Sequence, residues 1–249
     1  MNKPRSKTSL CPSLCRRSWL GAAWGAFGFA ATGFAMQDKV HTREWALTRE
    51  QRDRLTPDEV IRQMKLGNER FRMGKPSPHD YLVQKRSTSE AQYPSAVILG
   101  CIDSRAPAEI ILDAGIGTTF NARIAGNVVN DDVLGSMEFA CAVAGAKVVL
   151  VLGHTACGAI MGAIDDVEMG NLTGLLARVQ PAIKATVYTG KKSSKNDAYV
   201  DAVARTNVLH AADVIRQKSN ILADLEKKGS LKIVGAMYDI TTGVVTFVS

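Results

Sequence analysis

Three side chains able to grip a soft metal ion lie in two short runs of this chain. Cys101 opens Cys101-Ile102-Asp103-Ser104-Arg105, and 53 residues later comes His154-Thr155-Ala156-Cys157. Two thiolates and one imidazole supply three of the four positions of tetrahedral zinc. Structural zinc sites ordinarily close all four positions with protein atoms, whereas catalytic sites leave one for water. The count therefore favours an open zinc centre held by Cys101, His154 and Cys157. Asp103 and Arg105 stand beside the first cysteine. A carboxylate there can accept a hydrogen bond from the water, and a guanidinium can hold that carboxylate through two parallel bonds, which an ammonium cannot. The bland reading of Asp103 and Arg105 is an ordinary ion pair worth about 0–1 kcal/mol at a surface; the neighbouring zinc cysteine argues against it. Asp103 is also a candidate ligand, because once released by Arg105 it could swing into the fourth position and shut the site.

Both runs follow apolar segments that read as buried strands. Ala96-Val97-Ile98-Leu99-Gly100 precedes Cys101, and Lys147-Val148-Val149-Leu150-Val151-Leu152-Gly153 precedes His154. Continuous apolar runs of this kind suit parallel strands covered on both faces. Further strands are expected over Thr119 to Ile124, Leu231 to Tyr238 and Val244 to Val248, the last two joined by a turn at Thr241-Thr242-Gly243. Thr56-Pro57-Asp58-Glu59 signals a helix start with a capping box and a first-turn proline, and Gly74 and Pro76 end that helix. Other helices are expected from Pro107 through Leu112, from a cap at Asp131 or Asp132 through about Ala144, from about Asn171 to Lys184, and from about Tyr199 to Lys218. One more should run from a cap at Ser219 to Gly229. The alternation predicts a single α/β domain with a mainly parallel central sheet flanked by helices, preceded by an N-terminal helical arm. In such sheets the loops at the carboxyl ends of strands build the site, so Cys101 and His154 should arrive at the same edge.

With these residues in view, the chain resembles a β-class carbonic anhydrase over roughly residues 58 to 248. The resemblance is carried by Gly100-Cys101-Ile102-Asp103-Ser104-Arg105 and Gly153-His154-Thr155-Ala156-Cys157-Gly158-Ala159. Gly67-Asn68-Glu69-Arg70-Phe71, Arg123-Ile124-Ala125-Gly126-Asn127 and Gly235-Ala236-Met237-Tyr238-Asp239 support it. It implies that Cys101, His154 and Cys157 hold zinc and that Asp103 with Arg105 forms a catalytic dyad. The implied reaction is reversible hydration of CO2 to bicarbonate and a proton. It also implies a homodimer or higher homo-oligomer with sites lined partly by the neighbouring subunit. Many members carry a Gln shortly after the first motif, in the substrate pocket; here Asp113-Ala114-Gly115-Ile116 offers no amide. Two other functions use the same ligands: hydrolysis of CS2 or COS, and a non-catalytic zinc module. The intact Asp103 and Arg105 count against the module.

Charge and cysteine content narrow the class further. Five of the 31 basic residues fall within residues 1–35, where there is no acid, so the other 26 nearly balance 24 acidic residues. No basic stripe interleaved with aromatics is present, which argues against nucleic acid. The lysine-rich stretch Thr189 to Asn196 reads as a solvated loop. After residue 35 only Cys101, Cys141 and Cys157 remain, an odd number that argues against a disulfide framework; Cys141 reads as a small buried hydrophobe. Residues 1–35 read as a signal peptide of twin-arginine type: basic residues, Arg16-Arg17, an uncharged run from Trp19, and small residues in Gly33-Phe34-Ala35. The run is too short and too weakly apolar to span a membrane comfortably. An uncleaved anchor or a buried amphipathic helix are the alternatives. Residues 36–55 form the arm and 56–249 the zinc domain, and the mature protein is expected to be periplasmic or secreted. Sequencing its N-terminus from fractionated cells should find a start near Met36, and Lys at both positions 16 and 17 should block export; an intact Met1 in the cytosolic fraction would refute the leader.

Overall fold

The computed structural model describes residues 46–248, so the expected leader and the first part of the arm lie outside the described residues. The described remainder of the arm carries α1 (Arg49–Arg54), opened by a reciprocal capping box between Thr48 and Gln51. Arg52 on α1 is buried and donates to the Ala144 carbonyl, tying the arm to the domain. α2 (Pro57–Arg72) begins as expected, with Thr56 and Glu59 capping each other and Pro57 in the first turn. α3 (Tyr81–Ser87), capped by Asp80, had no expectation behind it.

Five strands form one sheet in the order β2-β1-β3-β4-β5. They are β1 (Ala96–Gly100), β2 (Thr119–Arg123), β3 (Val148–His154), β4 (Lys232–Tyr238) and β5 (Val245–Val248). All pairings are parallel except β4 with β5. β1 and β3 are buried along their whole length, as their unbroken apolar sequences require. Their alternate residues feed two cores. Val97, Leu99, Val149 and Val151 face the helix side that contributes Val208, Ala212, Ile215 and Leu222. Ile98, Leu150 and Leu152 face Val60 and Met64 of α2 and Ile111 of α4 (Ala108–Ile111).

α5 (Asp131–Glu138) is capped by Asn130, whose side chain accepts from Val133 N at 2.9 Å, rather than by Asp131 or Asp132. The two aspartates sit in its first turn, where the helix dipole favours them. The chain then winds on through a π turn over Phe139–Val143 to Ala144. α6 (Gly158–Ile164) follows β3 without a sequence expectation. The single helix expected over Asn171 to Lys184 is two, α7 (Gly170–Leu176) and α8 (Gln180–Ala185). Pro181 explains the break: it lacks the N–H a continuous helix needs and its ring crowds the preceding turn, so it sits instead at the start of α8. α9 (Asp197–Lys218) and α10 (Asn220–Lys227) complete the cover, Ser219 capping α10. Among the described residues no helix is long and apolar enough to cross a membrane.

Gly67 and Asn68 of α2 fasten the helix to the sheet. Asn68 Nδ2 donates to Ile111 O at 3.1 Å and Gly243 O at 2.9 Å, and its Oδ1 accepts from Val245 N at 2.9 Å. One buried amide thus satisfies three backbone groups, including two beside the β4–β5 turn. Gly67 lies so close to the Leu112 carbonyl that a Cβ would strike backbone. Gly67→Ala should therefore lower stability by about 1–3 kcal/mol through overpacking, read as a lower urea midpoint at unchanged slope.

Candidate metal centre

Parallel pairing sets the site. Gly100 of β1 lies opposite Leu152 of β3, so Cys101, just beyond β1, and His154, the last residue of β3, emerge at the same carboxyl edge. Cys157 caps α6, three residues on. The ligand atoms of Cys101, His154 and Cys157 lie within 4.8 Å of one another, and all three residues are buried. The two Sγ atoms are 4.0 Å apart, against about 3.8 Å for two sulfurs at 2.3 Å from one tetrahedral zinc.

Two further observations fit a metal. His154 Nδ1 donates to Thr155 O at 2.9 Å, which leaves Nε2 to present its lone pair. That Nε2 is buried and has no hydrogen-bond partner, an arrangement that normally demands explanation. Both sulfurs are also held by backbone amides: Gly126 N donates to Cys101 Sγ at 3.4 Å, aided by the Asp103 amide, and the Ala159 and Ile160 amides at the start of α6 favour the Cys157 thiolate. Between the thiols themselves, the hydrogen bond from Cys157 pulls the Cys101 pKa down and pushes that of Cys157 up. Such a pair is ready to exchange its shared proton for a cation. Cys141 behaves differently. Burial alone pushes its thiol up to about 12, leaving it an inert member of the core as expected.

Asp103 and Arg105 meet in the geometry expected of them. Arg105 Nε donates to Oδ1 at 3.0 Å and Nη2 to Oδ2 at 2.8 Å, while the Arg105 amide adds a bond to Oδ1 at 2.9 Å. These bonds, the Arg105 side chain first, hold the Asp103 carboxyl far below the usual carboxylate range. Asp103 Oδ2 lies 3.9 Å from His154 Nε2, so the carboxylate borders the ligand cluster while still paired with Arg105.

Several supporting residues had no role assigned from sequence. Arg123, at the end of β2, donates to the Cys101 carbonyl at 2.8 Å and to the Asp103 carbonyl, fixing the first loop by its backbone. Gly126 adopts a left-handed φ of 67° that turns its amide toward Cys101. Asp201 of α9 accepts from Ala156 N at 3.0 Å. Arg123 and Gly126 both lie in a run that carried the family resemblance, which was the available signal; Asp201 had none. The loop Asp113 to Ile116 does receive an amide from elsewhere. Gln84 of α3 reaches it and accepts from Ile116 N at 2.9 Å. Asp113 itself is occupied by Arg70, Ser77 and His79.

A family model described as carbonic anhydrase matches residues 96–245. Carbonic anhydrase 2 of Mycobacterium tuberculosis is 36% identical over 182 residues, covering 72% of this chain and 87% of the relative. The carbonic anhydrase of Mycolicibacterium smegmatis is 32% identical over the same shares. Among solved structures, the β-carbonic anhydrase CafA of Aspergillus fumigatus superposes with a TM-score of 0.60 at 21% identity, over 77% of this chain and 89% of that one. A β-carbonic anhydrase of Sordaria macrospora, described as tetrameric, gives 0.57 at 24% identity over 65% and 83%. At these identities the structures show a shared fold.

If the trio is a metal centre, the purified protein should carry about one divalent ion per chain, and Cys157→Ser or His154→Ala should lose it. Elemental analysis of the three proteins decides; full retention in both variants would remove the assignment.

Proposed function

This chain belongs to the carbonic anhydrase family, with the fold of its β-class, and we propose that it hydrates carbon dioxide at a zinc ion held by Cys101, His154 and Cys157. The observation that carries this reading is the buried trio with its orphaned His154 Nε2, bordered by an ionised Asp103. Zinc in such a site lowers the pKa of a coordinated water from 15.7 to about 7, which supplies a nucleophile at neutral pH. Two thiolates and a neutral imidazole cancel the charge of a divalent ion, as burial requires.

The rest of the chemistry belongs to the chain's own side chains. His154 keeps its proton on Nδ1, where the Thr155 carbonyl holds it, so Nε2 remains a ligand. Asp103, ionised by its bonds to Arg105, can only accept hydrogen bonds. Its Oδ2 would accept the hydrogen bond of the nucleophile and so direct the oxygen lone pair toward the carbon of CO2. The proton released in forming that nucleophile passes to solvent. Arg105 fixes the plane of that carboxylate by its two-pronged contact, and Arg123 fixes the loop beneath it. Oriented attack of this kind converts a bimolecular encounter into a positioned one.

The proposal includes a homo-oligomer. β2 is one of the two edge strands of the sheet, its residues are half-buried or exposed, and the exposed Phe139 lies against its Phe120. It also includes export through the leader, supported by Arg16-Arg17, the uncharged run and Gly33-Phe34-Ala35.

Asp103→Asn should keep its zinc, because all three ligands remain, while CO2 hydration falls by about 10²–10⁴-fold. Stopped-flow turnover with metal analysis on one preparation reads both. Near-normal turnover would reduce Asp103 to an ion-pair partner. CS2 hydrolysis exceeding CO2 hydration in the wild-type protein would transfer the reading to the sulfur substrate.

A further inference from the structure

The turn between His154 and Cys157 holds two ligands in place and is pinned from two sides. On one side Thr155 N donates to Tyr238 O at 2.9 Å and Ile240 N donates to Thr155 Oγ1 at 3.1 Å, fastening the turn to the end of β4. On the other side Ala156 N donates to Asp201 Oδ1 at 3.0 Å. Ala156 needs that second anchor. It is a non-glycine residue with a left-handed φ of 51°, a conformation that persists only where the surroundings impose it.

The carbonyl of the same residue has its own partner. Ala156 O accepts from Arg105 Nη2 at 3.3 Å, and that same Nη2 donates to Asp103 Oδ2 at 2.8 Å. A continuous path therefore runs from Asp201 through the Ala156 peptide units to Arg105 and on to Asp103. Arg105 is itself largely exposed, so without an anchor its long side chain would have rotamer freedom to lose.

Asp201 has no evident duty to its own helix. It lies a turn inside α9, whose cap residue is Asn196. Among the described residues no Lys or Arg pairs with it; burial raises its pKa, Asp197 and Asp239 raise it further, and the Ala156 amide and the His154 imidazole oppose them. A half-buried carboxylate among acids, without a Lys or Arg partner, is a costly choice, and its hydrogen bond is to the N–H of the residue whose carbonyl accepts from Arg105.

We propose that Asp201 is a positioning residue for the Asp103–Arg105 pair, acting through the Ala156 peptide. Its carboxylate sets the left-handed turn, the turn aims the Ala156 carbonyl at Arg105, and Arg105 so restrained presents Asp103 to the substrate water. The inference rests on the catalytic reading of Asp103 and Arg105 given above.

The test is a double-mutant cycle on the zinc-loaded full chain, with Asp201→Ala, Arg105→Ala and the pair together. Asp201→Ala should keep its zinc and lose about 10–100-fold in kcat, the usual scale for misplacing a reacting group, with KM little changed. It should also speed hydrogen–deuterium exchange of the peptide containing Thr155 to Cys157. In the Arg105→Ala background the same substitution should change kcat by less than about twofold, since the path is already cut. Asp201→Asn, whose amide oxygen still accepts from Ala156 N, should restore turnover to within about threefold. If the alanine variant does not fold, Asp201→Val, which also lacks an acceptor, carries the same expectation. Additive losses in the cycle, or an asparagine variant as slow as the alanine one, overturn the proposal. Normal turnover in Asp201→Ala beside an impaired Arg105→Ala sinks this inference alone. Normal turnover in Arg105→Ala sinks the catalytic reading and the inference with it.

Discussion

The parallel, in-register pairing of β1 with β3 is the constraint on which the site depends. Side chains alternate along a strand, so a slip of one residue would send every core residue of β1 to the opposite face. It would also carry Cys101 away from the end of β3, where His154 emerges. Burial on both faces prevents the slip: Val97 and Leu99 are committed to one core and Ile98 to the other. The hydrophobic effect, acting on apolar residues with no chemistry of their own, thereby fixes the separation of two sulfurs and a nitrogen.

Around that frame the backbone does most of the fine placement. Amides of Gly126 and of the first turn of α6 point at the sulfurs, and the carbonyls of Thr155, Cys101 and Asp103 hold His154 and Arg123. Left-handed residues recur where the chain must aim a peptide group, at Gly126, Asn127 and Ala156. At Asn127 and Ala156, which carry a Cβ, this costs conformational energy that the surroundings must offset, whereas Gly126 adopts it freely.

The central strands and the candidate ligands were legible for one reason. Strands β1 and β3 are continuous apolar runs, and the ligand motifs abut them directly, so element and chemistry could be read together. The capping box at Thr56 was equally plain, because its residues lie within four positions. Legibility failed where the deciding partner is remote or the pattern is short. α6 consists of glycine, alanine and three large apolar residues with no polar face to give a period. The expected helix over Asn171 to Lys184 ignored Pro181 until the structure showed α7 and α8 separated. The cap of α5 moved to Asn130 because an asparagine before two aspartates competes for the same role, and only backbone geometry chooses between them.

By itself the sequence determined which residues could bind metal, which strands would be buried, and that the two motifs share a sheet edge, since these follow from residue type and local periodicity. Tertiary structure alone decided that Arg105 also reaches the Ala156 carbonyl, that Gln84 serves the Asp113 to Ile116 loop, and that Asp201 meets Ala156. Those facts depend on contacts between segments up to 51 residues apart, such as Arg105 with Ala156. No local pattern encodes them, because the free energy of each contact exists only once the sheet has brought its partners together.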